Sequence, residues 1–235
     1  MAEKNSEKPQ KSGGGCIGLL VKLLIVIFFA ALGAAVFFIA QPQDLTDVGG
    51  YGPAAALAQR RDLKSTIQSS VDRGYELTLS EDDINGYLTH TLAAKQGGLL
   101  GNHVTLDGAW VRLEDGRMEV VIERRILGHP LTISTYLQIS QTISPTGTTN
   151  TEGVLHGGPY IKDLPLNRGG RFGQLVVPQG FLLMVLPSFQ KLAEAYKDEL
   201  DLAFGHMARI RIEKERLILD PRAPGDLMTA PGGSF

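Results

Sequence analysis

A run of apolar residues from position 17 to position 40 constrains this chain more than any other feature. Lys22 is its only charge. At about 1.5 Å per residue the run matches a bilayer core of about 30 Å, so it predicts one transmembrane helix. Ahead of it, Lys4, Lys8 and Lys11 outnumber Glu3 and Glu7. Behind it come Asp44 and Asp47, with no basic residue before Arg60. This asymmetry puts residues 1–16 in the cytoplasm and residues 41–235 outside. Lys22 is close enough to the inner end to snorkel to the headgroups. A cleaved signal peptide is the competing reading, but its apolar region normally spans only about 7–15 residues. Gly33-Ala34-Ala35 is a poor cleavage site, because apolar residues continue past it. Cys16 precedes the apolar run instead of ending it, which does not fit a lipoprotein. As the only cysteine it forms no intramolecular disulfide.

Of 23 Lys and Arg, four precede residue 41, and of 25 Asp and Glu, two do. The outer part therefore keeps 19 basic against 23 acidic residues, a net charge of −4. No basic cluster stands out, and nucleic acid is not an expected partner. The length suits one domain with a sizeable core. A body without disulfides outside the cytosol fits a bacterial periplasm, and so an inner-membrane anchor.

Residues 41–53 read as a linker broken by Pro42, Gly49, Gly50, Gly52 and Pro53. A helix is predicted over 54–72, ending at Gly74, so that linker and helix together fill 41–74. A domain follows over 75–220. It opens with a short strand over 75–79 and a helix capped by Ser80, with Asp83 closing a capping box. Glu81 and Asp82 suit the same helix end. Ile84, Tyr87, Leu88 and Leu92 form its apolar stripe. Strands are predicted over 103–113, 117–127 and 131–143, with a weaker run through Val154, Leu155 and Ile161. Short turns between them imply an antiparallel meander. Val120, Val121 and Ile122 offer apolar residues to both faces, so that strand should be covered on both sides. A second long helix is predicted from Pro178, with Phe181, Val185, Phe189, Leu192, Tyr196 and Leu200 on one stripe. Pro187 should kink it or split it in two. A closing hairpin over 206–219 and a loose tail over 221–235 complete the chain.

The search for chemistry is mostly negative. His90, His103, His129, His156 and His206 are scattered, and no metal site, cofactor site or catalytic residue is expected. The chain has no nucleophile elbow, phosphate loop or dinucleotide fingerprint. Gly169, Gly170 and Gly173 with Arg168 and Arg171 read as a flexible loop before the Pro178 helix. What remains is apolar surface. Residues 181–186 are apolar nearly all round, which a solvent-facing helix would not be. They are buried, or line a groove for an acyl chain, or rest against the bilayer.

Residues 76–88, Glu-Leu-Thr-Leu-Ser-Glu-Asp-Asp-Ile-Asn-Gly-Tyr-Leu, resemble the opening of the YpmS-like and LmeA-like bacterial membrane-anchored proteins. Gly173-Gln174-Leu175-Val176-Val177-Pro178 is similar to their later Gly-x-Leu-x-x-Pro step. The resemblance runs over about 75–220. It departs in Ile84, where a Leu is usual, and in Pro187. It implies an α+β fold of the TULIP type, a curved antiparallel sheet around a long kinked helix with lipid held in an apolar channel. The expected groove residues are Phe181, Leu182, Val185, Leu186, Phe189, Ile84 and Leu88. Asn85 matches the family's Asn and is either a polar ligand contact or a hydrogen bonder at a helix surface or sheet edge. The leading expectation is a periplasm-facing module that binds a lipid or other apolar ligand. The alternative is a structural module docking an envelope protein. A hydrolase assembled from scattered Asp, Ser and His ranks third.

Overall fold

A computed structural model of the chain describes residues 15–52, 61–95, 106–126, 128–144, 149–156 and 169–222. Helix α1 (Gly15–Ala40) projects from the body. Its stretch Gly18–Ala40 is unburied and is long and apolar enough to be a membrane span or a signal helix.

Helix α2 (Leu63–Arg73) starts later than the predicted 54. Residues 54–60 lie outside the described residues. Asp62 is the N-cap, its carboxylate accepting from Lys64 N at 3.1 Å. Gly74 closes the helix in the left-handed conformation, at φ 64°. Leu63 and Ile67 are buried, so α2 belongs to the core and packs on α6 (Lys197–His206). Strand β1 (Leu77–Ser80) runs directly into α3 (Glu81–Lys95). The predicted capping box forms. Asp83 N donates to Ser80 Oγ, and Ser80 N donates to Asp83 Oδ2, both at 3.1 Å.

The strands β2 (Gly108–Glu114), β3 (Arg117–Ile126), β4 (His129–Ile143) and β5 (Thr149–Leu155) make the predicted antiparallel meander. Strand β4 has 15 residues and also pairs with β6 (Gly170–Phe172), which pairs with β7 (Leu175–Val177). The glycine-rich stretch around residue 170, expected as a loop, is therefore a hairpin at the sheet's edge. A second sheet, ordered β1-β9-β8, contains the closing hairpin of β8 (Arg209–Glu213) and β9 (Arg216–Asp220). Its turn meets the β2–β3 turn, where Gly116 N donates to Ile212 O at 2.9 Å.

The larger sheet has two unlike faces. One carries Ala109, Ile122 and Ile133 and packs on Leu92 of α3 and on Phe189 and Leu192. The other carries Arg112, Glu119, Val121, Ser134, Tyr136 and Arg171, alternate residues in register across β2, β3, β4 and β6. Residues 41–52, expected as linker, lie over this second face as a strap. Leu45 and Val48 are buried with Val121 and against Trp110, and Gln43 N donates to Thr132 Oγ1 at 2.8 Å. Val121 and Ile122 are thus both buried from opposite sides, as their apolar pattern predicts.

The second long helix is three pieces: α4 (Gln179–Leu182), α5 (Leu186–Ala195) and α6. Pro178 is the N-cap of α4 and not its first helical residue. Pro187 sits in the first turn of α5, where a missing N–H costs nothing, and the break falls before it at 183–185. A second break comes at Tyr196 (φ −108°, ψ 25°), whose hydroxyl lies 3.0 Å from Thr91 Oγ1.

Candidate functional site

Two residues one turn apart on α3 organise the polar side of the molecule. Asn85 is fully buried and pairs with the β2 edge as another strand would. Its amide donates to Val111 O at 2.8 Å and accepts from Val111 N at 2.7 Å. The same amide donates to Gly49 O of the strap at 2.7 Å. Glu81 repeats the arrangement, its carboxylate accepting from Leu113 N at 2.5 Å and from Gly49 N at 3.0 Å. Of the two readings of Asn85 from sequence, the sheet-edge hydrogen bonder is the one these contacts describe. Glu81 was expected only to suit the helix end. Its side chain instead satisfies an edge strand that would otherwise stay open.

Beneath the strap runs a row of charge. Glu119 is fully buried and binds Arg112 at 2.6 Å and the Ser134 hydroxyl at 2.6 Å, with Arg171 Nε at 3.5 Å. Arg112 also reaches Asp47 of the strap at 2.8 Å. Arg171 donates to Tyr136 Oη at 3.1 Å, and Arg117 lies over the Tyr136 ring and 3.1 Å from His156 Nε2. An open cleft of about 660 Å³ borders this row, lined by Asp47, Glu81, Arg112, Glu114, Arg117 and His156 among others. Its charges are largely matched in pairs, Glu114 with Arg117 at 2.6 Å for example, so it presents no concentrated sign to a ligand. His103 lies outside the described residues. Among the described residues no group of three His, Cys, Asp or Glu is placed to hold a metal ion.

The apolar residues singled out from sequence do converge, with exceptions. Leu182 and Phe189 are buried, and Val185 and Leu88 pack against the core between the sheet and helices α3 and α5. Leu186 is half-buried. Ile84 instead joins the second core, with Leu63, Ile67 and Leu79. Phe181 points to the surface, together with Leu183 and Met184. The last two lie off the single stripe and belong to the stretch 181–186 that is apolar nearly all round.

A second buried polar cluster ties α3 to α6. Glu199 accepts from Tyr87 Oη at 2.5 Å and from Lys95 at 2.8 Å. Burial alone would raise the Glu199 pKa, but the hydrogen bonds from Lys95 and Tyr87 outweigh it and hold the carboxyl below its usual range. Burial first, and then the Glu199 carboxylate, push the Tyr87 phenol well above its ordinary value.

The end of α1 is bonded to the body. Gln174 N, in the β6–β7 turn, donates to Phe38 O at 3.0 Å. Gly173 makes this possible: its φ is 54°, and a Cβ there would stand 2.3–2.7 Å from the carbonyl oxygens of Gln41, Ile39 and Phe38. In comparisons with known proteins, the chain matches no family model, no curated protein and no solved structure.

Proposed function

We propose that the chain is a single-pass, membrane-anchored module of the periplasmic face of the inner membrane, with its N-terminus in the cytoplasm. In this reading it binds a lipid or similar apolar ligand in envelope lipid handling. The carrying observation is the set of apolar side chains on and before α5 and on α3, with Phe189, Leu88 and Val185 in or against the core and Phe181 exposed at the surface. An acyl chain entering between α5 and the sheet would meet them, in the manner of a TULIP-type channel, with shape and a few polar groups at the mouth setting specificity. The resemblance of residues 76–88 and 173–178 to YpmS-like and LmeA-like proteins supports the same reading. The test is native mass spectrometry of a soluble chain beginning at Gln41, purified from bacteria. A bound lipid mass, or uptake of a fluorescent fatty acid that Leu88→Trp reduces, is the expected result. A ligand-free protein that takes up no fatty acid overturns the proposal.

One observation favours the structural alternative. Ile143 is an exposed apolar residue at the far end of the β4–β5 arm, a place where an envelope protein could dock. Crosslinking in membranes discriminates the two readings, because a stoichiometric partner captured there supports docking.

A further inference from the structure

Among the described residues outside α1, four of the eight exposed large apolar residues fall between β7 and the start of α5. At this corner Val176 is 47 % exposed, Phe181 55 %, Leu183 60 % and Met184 81 %. Scattered exposed apolar residues need no explanation. Four within nine positions of the chain do, and Leu183 and Met184 occupy a turn where polar residues would cost nothing.

The depth of this corner follows from its attachment. Gly18–Ala40 is 23 residues, about 34 Å of helix against a hydrocarbon core of about 30 Å. Its last turn therefore lies at the edge of the hydrocarbon when α1 spans a bilayer. The carbonyl of Phe38 in that turn accepts the hydrogen bond from Gln174 N, and the Gln174 side chain lies 3.4 Å from that of Gln41. The β6–β7 turn is thus held at the same depth. Val176 is two residues beyond Gln174 in extended chain, within about 7 Å of that bond. Close packing of Gly173 against the Phe38, Ile39 and Gln41 carbonyls holds this turn against the end of α1. Phe37 and Phe38, both exposed on α1, carry apolar surface up to the join.

We infer that the β7–α4 corner, through Phe181, Leu183, Met184 and Val176, is seated in the outer leaflet at the boundary of headgroups and acyl chains, as a second bilayer contact beside α1. Burying such side chains at an interface is favourable in proportion to the apolar area removed from water. The inference rests on the anchored reading of α1 and not on the ligand.

Spin labels test it in the full chain, with Cys16→Ser as background and single cysteines at Phe181, Met184, Phe29 and Glu152. Vesicles are phosphatidylcholine and phosphatidylglycerol at about 3:1, and relaxation by oxygen is compared with relaxation by an aqueous nickel chelate. All four side chains are exposed, so the labels do not threaten the fold. Labels at Phe181 and Met184 are expected to be at least about fivefold less accessible to nickel than the label at Glu152, and more accessible to oxygen. Nickel accessibility equal to that at Glu152 overturns the inference. So does shielding from both reagents, which marks a protein contact, or broadening relieved by unlabelled chain, which marks a second copy. A water-exposed label at Phe29 overturns the anchor and the inference together. A protein without ligand but with Met184 in lipid leaves the inference standing and overturns only the ligand.

Discussion

Asn85 shows how one side chain decides between a structural and a binding role. Its amide closes three hydrogen bonds to backbone groups that have no other ladder partner on that edge. Replacing it with Ala orphans buried N–H and C=O groups, each worth about 1–3 kcal/mol, so Asn85→Ala is expected to cost about 3 kcal/mol. Asn85→Asp keeps the acceptor for Val111 N but turns a carboxylate toward the carbonyls of Gly49 and Val111. It should be at least as damaging at pH 7 and recover partly as the pH falls. Urea midpoints decide, and an Asn85→Ala variant as stable as the parent would return Asn85 to a ligand role. Glu199 gives a pH signature. Its folded pKa is depressed, so its contribution is complete above the unfolded pKa of about 4.3 and is lost as pH falls toward the native value. Stability measured from pH 7 down to pH 3 should therefore drop below about pH 5, and Glu199→Gln should flatten that slope. Lys95→Met leaves the carboxylate with Tyr87 alone. An expected loss of about 2–3 kcal/mol at pH 7 should shrink in acid, and a pH-independent loss would mean that Lys95 acts by packing alone.

At the scale of elements, the join between α1 and the β6–β7 hairpin depends on Gly173. In Gly173→Val a side chain must occupy the space of three carbonyl oxygens at a left-handed φ. The join should open while the body, held by separate cores, keeps its unfolding free energy in urea within about 2 kcal/mol. Hydrogen exchange at the Gln174 amide in the full chain reads this out, and unchanged protection there would contradict it. The elements themselves were largely legible where one local rule applies. Ser80 and Asp83 cap α3 through their own spacing, and Val121 beside Ile122 signals a strand covered twice. Legibility failed where a residue's partner is far away in sequence. Glu81 suits a helix end equally well whether or not it also reaches Leu113 and Gly49. The strap carries Gly49, Gly50 and Gly52, which read as breaks. Its two buried apolar residues, Leu45 and Val48, are too few to show a period. The stripe through Phe189, Leu192, Tyr196 and Leu200 runs across the break at Tyr196, so periodicity alone gave no sign that the helix stops there.

The strap changes how the body of the molecule relates to α1. A flexible linker would let the body turn freely at some distance from the bilayer. Instead, residues 41–52 cover a sheet face, put Asp47 on Arg112, and thread Gly49 between Glu81 and Asn85. Gly50, at φ 72°, would bring a Cβ to 2.9 Å from that of Asn85, so the strap lies as close to α3 as backbone allows. The segment that follows α1 is therefore part of the folding unit. Burial of Leu45 and Val48 is worth about 1.5–3 kcal/mol each. Together they supply about 3–6 kcal/mol of a total that for most domains is only about 5–15 kcal/mol. Two soluble chains separate this view from a tethered-body view. One begins at Gln41 and keeps the strap, and the other begins at Arg61 and exposes Val121, Trp110 and the Glu119–Arg112 pair. The longer chain is expected to unfold cooperatively, and the shorter to lose most of its stability to urea. Equal midpoints would mean that the strap lies on the sheet without holding it. The body would then be free to swing from α1, and the fixed depth of the β7–α4 corner would have to rest on the Gln174–Phe38 bond alone.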